Sequence, residues 1–187
     1  MAIPELTTGR LLLRAFRDAD REAFAAMNAD PLVMEHFPST LDRAASDALM
    51  DRITDAWHAD NLGLWACQRL VDGQFLGFAG LAWPTFVAHF TPAVEIGWRL
   101  ARHAWGNGYA TEAATASLEY GFDAAGLNEI VSFTVPANLR SSRVMERLGM
   151  THDPADDFDH PRLPDGHPLR RHVLYRLSRT DWERRRP

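Results

Sequence analysis

The first stretch that could bind a ligand contains two glycines: Trp105-Gly106-Asn107-Gly108-Tyr109-Ala110-Thr111-Glu112. The stretch follows an apolar run from Val94 to Leu100 and opens an alanine-rich run from Ala110 to Ala125, so the two glycines fall in a predicted strand-to-helix turn. Glycine lets the main chain approach a ligand closely, and the first turn of a helix offers unpaired N–H groups at the positive end of the helix dipole. We therefore interpret the stretch as a phosphate-binding turn; the alternative is a tight turn without a ligand.

The composition predicts one soluble globular domain over residues 1–187, because 46% of the residues are apolar and 24% are charged. A formal net charge of −5 provides no overall positive field for nucleic acid. No apolar stretch of about 20 residues could span a membrane, and no apolar leader is visible, so we expect a cytoplasmic protein. The single cysteine, Cys67, is interpreted as a buried core thiol rather than a nucleophile.

The first third of the chain predicts a strand and two helices. A short apolar run between charged residues, within Leu6 to Phe16, predicts a strand. Asp18 is the predicted N-cap of a helix that Asp30-Pro31 stops. Apolar residues recur at four-residue spacing from Leu41 to Asp60, which predicts a second helix.

The middle of the chain changes to strand periodicity. Two strand-like runs, Leu64 to Val71 and Phe75 to Trp83, flank Asp72-Gly73 and predict a β-hairpin. Gly77 and Gly80 inside the second run predict a bulge or a close approach to the backbone.

The last third predicts two helices, two strands and a long loop. A helix from Ala110 to Ala125, ended by Gly126, is followed by a strand from Glu129 to Val135 and by a helix from Asn138 to Leu148 that Gly149 terminates. Prolines, aspartates and histidines predict an irregular loop from Thr151 to Arg171, before a final strand from Arg171 to Leu177 and a basic tail from Asp181 to Pro187.

This order of elements and four motifs resemble the GNAT family of acyl-CoA-dependent N-acyltransferases, and more closely its RimJ/RimL-like branch. The motifs are Thr8-Gly9-Arg10-Leu11-Leu12-Leu13-Arg14 as the opening strand, Glu95-Ile96-Gly97-Trp98 in the fourth strand, Trp105 to Glu112 as the pyrophosphate loop, and Asn138 to Met150 as the second conserved helix with its exit. The resemblance covers nearly the whole chain. It implies an α/β (α+β) fold with a central mixed, mostly antiparallel, twisted sheet, splayed between its fourth and fifth strands, with helices on both faces.

The resemblance also implies where coenzyme A binds. Its pyrophosphate would be held by the main-chain N–H groups of Gly106, Asn107, Gly108, Tyr109, Ala110 and Thr111, whereas Trp105 departs from the Gln or Arg of the family pattern. The pantetheine arm would pair with the main chain of Trp98, Arg99 and Leu100. Asn138 and Ser141 match family positions near the pantetheine and the sulfur, although both also suit helix capping. Arg143, like Arg140 and Arg147 on the same helix, either binds the 3′-phosphate of coenzyme A or is solvated.

Amide formation from a thioester needs a neutral amine and a proton for the leaving thiolate. Glu95 is the candidate general base, because a lone acid in an apolar strand otherwise lacks a reason; the alternative is an exposed strand end. The tyrosine that many family members use to protonate the thiolate falls at Met145, so Ser141, or a water that it holds, is the candidate donor. His36, His89 and His160 are further candidates for a proton relay or a substrate contact; the alternative for each is a solvated loop histidine.

The resemblance therefore implies an N-acetyltransferase that moves an acetyl group from acetyl-CoA to a primary amine by direct attack in a ternary complex. The acceptor is either a protein N-terminal α-amine or a small-molecule amine. Because the family's tyrosine is absent, the alternative is a non-catalytic acyl-CoA-binding module of the same fold. We expect no nucleic-acid or membrane partner, and the resemblance leaves open a homodimer.

No metal is expected, because the histidines of the C-terminal third do not have the spacing of zinc ligands. The same region is acidic, with five aspartates between Thr151 and Arg171: Asp153, Asp156, Asp157, Asp159 and Asp165. Clustered carboxylates repel coenzyme A and attract a cationic amine, so we expect this loop to select the acceptor. The alternative is a loop that is merely solvated.

Overall fold

The structure, a computed structural model, describes residues 3–185 and contains a central mixed sheet. Its strands in the described residues are β1 (Leu6–Thr7), β2 (Leu11–Arg14), β3 (Leu64–Arg69), β4 (Phe75–Ala82), β5 (Val94–Leu100), β6 (Glu129–Thr134), β7 (Thr151–His152), β8 (Phe158–Asp159) and β9 (Arg171–Ser178). They are ordered β1-β2-β3-β4-β5-β6-β9-β7, with β8 paired to β9 beside this path. The pairing of β5 with β6 is parallel and the other pairings are antiparallel. The predicted mixed, mostly antiparallel sheet is confirmed.

Helices cover both faces of the sheet. They are α1 (Arg21–Ala29), α2 (Arg43–Asp60), α3 (Tyr109–Glu119), α4 (Leu139–Leu148) and α5 (Arg179–Arg184). One face of β3 and β4 packs on α1 and α2, in a cluster that joins Ala66 and Phe78 to Phe24 and Ile53. The alternate residues face the other way and pack on α3. None of the described helices is both long enough and apolar enough to cross a membrane.

The sheet opens between its two parallel strands. Strands β5 and β6 pair only at Val94 with Ile130 and at Glu95 with Val131. One residue further along β5, the carbonyl of Ile96 accepts a hydrogen bond from the Ser132 hydroxyl at 2.9 Å instead of from the main chain of β6. The two strands therefore diverge beyond Glu95, as the resemblance implied, and the gap leads toward the N-terminus of α3.

Two predictions near the N-terminus are corrected. The run from Leu6 to Phe16 is not one strand, because it turns back at residues 8–10 and pairs with itself as β1 and β2. Asp18 is not the N-cap of α1: a 3₁₀ turn covers Asp18–Asp20, and α1 begins at Arg21. The Asp20 carboxylate is occupied instead by a buried, bidentate ion pair with Arg14, at 2.7 and 2.8 Å.

Two predictions near the C-terminus are also corrected. The segment Thr151 to Arg171 is not without regular structure, because β7 and β8 each pair with β9. The stretch Asp181 to Pro187 was predicted to be a basic tail, but its residues as far as Arg184 belong to helix α5. This helix is capped by Ser178, and its Trp182 is buried and stacked on Phe122. Residues 186 and 187 lie outside the described part of the chain.

The remaining helix and hairpin predictions are confirmed with small shifts. The alanine-rich helix ends as a π-helical turn, Tyr120–Ala124, rather than as an α-helix to Ala125. The hairpin of β3 and β4 forms around Gly73, and a register shift between Cys67 and Gln68 marks the predicted bulge. Gly77 is required there, because a Cβ at this position would lie 2.2 Å from the Arg99 carbonyl oxygen.

Candidate functional site

A single large cleft joins most of the residues that the sequence singles out. It has a volume of about 1000 Å³ and runs from the opening between β5 and β6 to the N-terminus of α3 and along α4. The predicted site residues that line it are Glu95, Trp98, Arg99, Leu100, Trp105, Gly106, Gly108, Tyr109, Ala110, Thr111, Asn138, Ser141 and Arg143. Two predicted residues do not line it: Asn107, and His89, which lies beside Asp156 at 3.5 Å. His36 and His160, the other candidates for a proton relay, do line it.

The turn before α3 presents main-chain donors to this cleft. Gly106 and Gly108 have φ angles of +77° and +80°, which residues with a Cβ rarely adopt. Within the described residues, the consecutive N–H groups from Gly106 to Thr111 donate to no protein acceptor, and Gly108 provides no side chain to cap the helix. A Cβ at Gly106 would meet nothing within 4 Å, so the space above the turn is open. Free donors at a helix N-terminus fit a phosphate group well.

Asn107 and Trp105 shape this turn from within. The Asn107 side chain donates to the carbonyl oxygens of Ala104 at 3.3 Å and Trp105 at 2.9 Å. The Trp105 indole N–H donates to the Leu100 carbonyl oxygen at 2.8 Å, and the Arg140 guanidinium lies 4.4 Å from the indole ring centre. Trp105 therefore ties the end of β5 to the turn, in place of the Gln or Arg that the family pattern has there.

The register of β4 with β5 decides which main-chain groups face the opening. The Ala101 N–H donates to the Leu76 carbonyl oxygen at 2.9 Å, and Arg99 pairs in register with Phe78. Because alternate residues of an antiparallel pair share hydrogen bonds, the main chain of Arg99 faces β4, while that of Trp98 and Leu100 faces the opening. Arg99 was predicted to contribute its main chain to the cleft, but only its side chain can reach a ligand there.

Glu95 brings a carboxyl group into the cleft. Its side chain is half-buried and forms no hydrogen bond or ion pair with any residue of the described part of the chain. Burial raises the pKa of Glu95 to about 8, because the charged form loses its hydration. A carboxylate with a pKa near neutrality is suited to accept a proton from an ammonium group at working pH.

Asn138 and Ser141 form a small hydrogen-bonded unit at the start of α4. The Asn138 Oδ1 accepts from the Ser141 main-chain N–H at 3.2 Å, which sets the orientation of the amide because only its oxygen can accept. Its Nδ2 then donates to Thr134 Oγ1 at 3.0 Å and to Ser141 Oγ at 3.2 Å. Since Ser141 Oγ accepts this bond, its own O–H is free to donate into the cleft. Met145, buried nearby, offers no such donor.

Arginines follow one face of α4 along the rim of the cleft. Arg140, Arg143 and Arg147 are exposed, line the cleft, and have no carboxylate within 4 Å among the described residues. Their spacing places them on one side of the helix. The structure thus brings together the predicted Arg143 and its two neighbours as a positive rim that fits a terminal phosphate.

The C-terminal segment contributes to the cleft, but not through its acids. Its lining residues are His160, Arg162, Leu163, Leu169 and His172. The aspartates are occupied elsewhere: Asp156 pairs with Arg176 at 2.6 Å, Asp157 with His152 at 2.7 Å, and Asp159 with Arg171 at 3.5 Å. Arginines also lie beside Asp157 and Asp165, whereas Asp153 caps Ala155 and has no cation within 4 Å among the described residues. Because none of the five aspartates lines the cleft and four are compensated, the structure does not support the expected attraction of a cationic acceptor. In residues 3–185, no cluster of three or more His, Cys, Asp or Glu could hold a metal ion.

Some cleft residues were not predicted from the sequence. Arg162 comes from the segment interpreted as a loop and His172 from the predicted final strand, and burial lowers the pKa of His172. The Arg99 side chain was also overlooked. Its signal was available, since alternate residues of a strand share a face and residue 99 is therefore on the same face as Glu95.

Comparison with known proteins is consistent with this geometry. Residues 10–151 match the sequence model of the acetyltransferase (GNAT) domain. The chain is 34% identical over 152 residues to the protein YkkB of Bacillus subtilis, an alignment that covers 78% of this chain and 84% of the relative. It is 32% identical over 197 aligned positions to the FsC-acetyl coenzyme A-N(2)-transacetylase of Aspergillus fumigatus, covering 98% of this chain and 80% of that enzyme.

The fold is shared with a solved acetyltransferase structure from Agrobacterium tumefaciens. The TM-score is 0.76 at 29% sequence identity, over 95% of this chain and 96% of the other.

Proposed function

Because this chain belongs to the GNAT acetyltransferase family, we propose that it transfers the acetyl group of acetyl-CoA to a primary amine bound in the cleft beside Glu95. The acceptor is a protein N-terminal α-amine, as in the RimJ/RimL-like branch that its motifs resemble, or a small-molecule amine. We also propose that residues 1–187 form one such domain, since the Agrobacterium acetyltransferase is matched over 96% of its length.

The observation that carries this function is the row of free main-chain donors from Gly106 to Thr111. All of these residues except Asn107 line the cleft, and their N–H groups donate to no protein acceptor in the described residues, as a pyrophosphate site requires. The exposed Arg140, Arg143 and Arg147 would hold the coenzyme's 3′-phosphate at the rim. The main-chain groups of Trp98 and the N–H of Leu100, turned toward the opening, would pair with the pantetheine amides as an added strand does, whereas the Leu100 carbonyl oxygen is held by the Trp105 indole.

The acetyl donor, when bound, supplies an activated thioester carbonyl. Glu95 then takes the proton of the acceptor ammonium, directly or through a water, so that a neutral amine attacks the carbonyl in the ternary complex. After the C–N bond forms, the nitrogen loses one more proton as the C–S bond breaks, and the departing sulfur takes up a proton to leave as the free thiol. The Ser141 hydroxyl, positioned by Asn138, donates a hydrogen bond to this sulfur. A side chain with a pKa of about 8 and a preset donor are sufficient for this role, because no covalent intermediate on the protein is needed.

The test is the release of free thiol from acetyl-CoA with a panel of primary amines, with product identity confirmed by mass spectrometry. We expect amine-dependent thiol release by the wild type. Glu95→Gln should release much less thiol than the wild type. Its matched control is Glu146→Gln, which changes an exposed acid on α4 and should keep the wild-type rate. A protein that binds acetyl-CoA in calorimetry but releases no thiol above background with any amine would be a binding module, and the proposed transfer would be wrong.

A further inference from the structure

The guanidinium of Arg99 lies in the cleft without a compensating anion. It is placed between two rings, 4.1 Å from the centre of Phe37 and 5.3 Å from that of Phe78. Its Nη1 donates to the neutral Asn28 Oδ1 at 2.6 Å, while its Nε is buried with no acceptor. Among residues 3–185, no carboxylate lies within 4 Å of it. Burial lowers the pKa of Arg99 to about 10, as expected for a cation without a counter-charge.

The cleft as a whole is also positively charged. Its described lining includes one carboxylate, Glu95, and five arginines: Arg99, Arg140, Arg143, Arg147 and Arg162. The chain nevertheless carries a formal net charge of −5, so the positive charge is concentrated at this site. The rim arginines on α4 are exposed, whereas Arg99 is enclosed by aromatic side chains on β4 and on the segment after α1.

Coenzyme A does not account for Arg99. The side chain projects from the face of the sheet that packs on α1 and α2, because Arg99 pairs with Phe78, which belongs to that cluster. Helix α3, whose N-terminus would hold the pyrophosphate, packs on the opposite face. The unpaired donor of Arg99 is therefore separated by the sheet from the predicted phosphate site.

Arg99 and Glu95 share one surface of the cleft. They lie on the same face of β5, four residues apart, which corresponds to roughly 13 Å between Cα atoms. Gly97 lies between them and Gly80 beside it on β4, so this floor carries no side chain. A Cβ at Gly97 would be 3.8 Å from Glu95 Oε1, which shows that the carboxyl group leans along the strand toward Arg99. A ligand can therefore extend over the glycines between the two charges.

Resting on the acetyl transfer proposed above, we propose that the acceptor is an amino carboxylate, whose amine is deprotonated by Glu95 and whose carboxylate is bound by Arg99. The guanidinium would use its two terminal nitrogens for a bidentate pair, which a carboxylate matches in shape, because Nε is buried whereas Nη2 donates to no acceptor among the described residues. The amine and the carboxylate must be several bonds apart to span the glycine floor. This assigns to the Arg99 side chain a role in selecting the acceptor, distinct from any part in holding coenzyme A.

The experiment compares ω-amino acids of increasing chain length with the amides of the same chains, which differ only in the negative charge. For wild type we expect kcat/KM to be at least ~10-fold higher for the acid than for the matched amide at the best length, the scale of charge-assisted hydrogen bonds. In Arg99→Gln this preference should disappear while KM for acetyl-CoA changes less than about twofold, and Arg99→Lys should restore part of it. Arg102→Gln, at an exposed arginine of the adjoining turn, is the matched control that should keep the preference.

A second measurement does not depend on turnover or on the variant folding. Calorimetry of wild-type protein saturated with coenzyme A should show binding of the amino acid and much weaker binding of its amide. Equal binding and equal kcat/KM for acid and amide at every length would overturn the role of Arg99, as would an Arg99→Gln variant that lowers both acceptors to the same extent. Absence of thiol release with every amine, alongside selective binding of the acid, would instead reject acetyl transfer and retain the carboxylate site.

Discussion

The carboxylate of Glu112 and the guanidinium of Arg10 form an ion pair, with Oε2 and Nη2 2.6 Å apart, that joins the first turn of α3 to the turn between β1 and β2. Arg10 Nη1 also donates to the Asn107 carbonyl oxygen at 3.0 Å, and Thr8 Oγ1 donates to Glu112 Oε1 at 2.6 Å. Although burial opposes it, these hydrogen bonds hold the pKa of Glu112 below its ordinary value. The glycine turn is thus fastened from its outer side, which leaves its N–H groups free for a ligand.

The fastening predicts that Arg10→Gln weakens acetyl-CoA binding without touching the cleft. We expect a ~3- to 10-fold rise in Kd, in the range for a partly exposed ion pair with added hydrogen bonds, and little change in KM for the acceptor. Calorimetry with acetyl-CoA provides the measurement. Arg43→Gln, which removes an exposed ion pair with Asp47 on α2, is the control and should leave Kd unchanged. An equal loss in both variants would show that Arg10 does not support the turn.

Gly108→Val should impair acetyl-CoA binding more strongly. A branched residue resists the φ angle of +80° and places a side chain where the main chain must meet the pyrophosphate. We expect a loss of at least ~1–3 kcal/mol of binding free energy, the scale of lost hydrogen bonds to a charged group. The control is Gly126→Val, at another open glycine with a φ of +71° beyond the end of α3. Unchanged affinity in a folded Gly108→Val protein would reject the turn as the phosphate site.

Glu95→Gln should lower kcat while acetyl-CoA affinity is retained. Removal of a general base typically costs about 10²- to 10⁴-fold in rate. In the wild type the basic, ionised form of Glu95 is the active one, so kcat/KM should rise as pH increases through about 8, and the variant should lose this step. A pH–rate profile for both proteins measures it. If Glu95→Gln matched the wild type at both pH 7 and pH 9, another group would have to be the base.

Glu95→Gln, which should lower kcat, should also raise the stability of the folded protein at pH 8. Because the pKa of Glu95 is raised to about 8 in the folded protein, the folded state keeps a proton that the unfolded state has released above the ordinary carboxyl pKa. Wild-type stability should therefore fall as pH rises from the ordinary carboxyl range to about 8. Glu95→Gln should remove this slope and be more stable at pH 8 by ~1–3 kcal/mol, a range discounted for the half-exposed side chain. Urea denaturation at pH 5 and pH 8 decides it, and parallel curves for the two proteins would contradict the buried carboxyl.

Asp156→Asn should affect stability rather than acceptor choice. Its carboxylate pairs with Arg176 on β9, and a hydrogen bond from that guanidinium lowers the pKa of Asp156. We expect a loss of ~0.5–1 kcal/mol in the free energy of unfolding and no change in acceptor KM, because the charge is already compensated. Asp55→Asn, at an exposed position of α2, is the control. A salt-dependent rise in KM for a cationic acceptor in Asp156→Asn alone would restore acceptor selection by this segment.

Local features of the fold could be predicted from the sequence because neighbouring residues determine them. The two glycines of the α3 turn, the hairpin at Gly73 and the α4 helix between Asn138 and Gly149 all depend on backbone freedom, capping groups and periodicity within a few residues. The candidate base Glu95 was also evident, as an acid in an apolar strand. These signals were sufficient for the order of the main strands and helices, and all the predicted site residues except Asn107 and His89 line the cleft.

Tertiary structure alone decided which charges are compensated. The aspartates after Thr151 looked available in the sequence, but β9 and its flanks bring arginines against all of them except Asp153, and those partners are up to 20 residues distant. Arg10 and Glu112 meet across 102 positions. Arg99, in contrast, is left without an anion because aromatic side chains from two other segments enclose it. The sequence by itself determined most of the elements and the glycine turn before α3, whereas pairing and burial, which depend on distance through space, decided which charged groups remain free to act on a ligand.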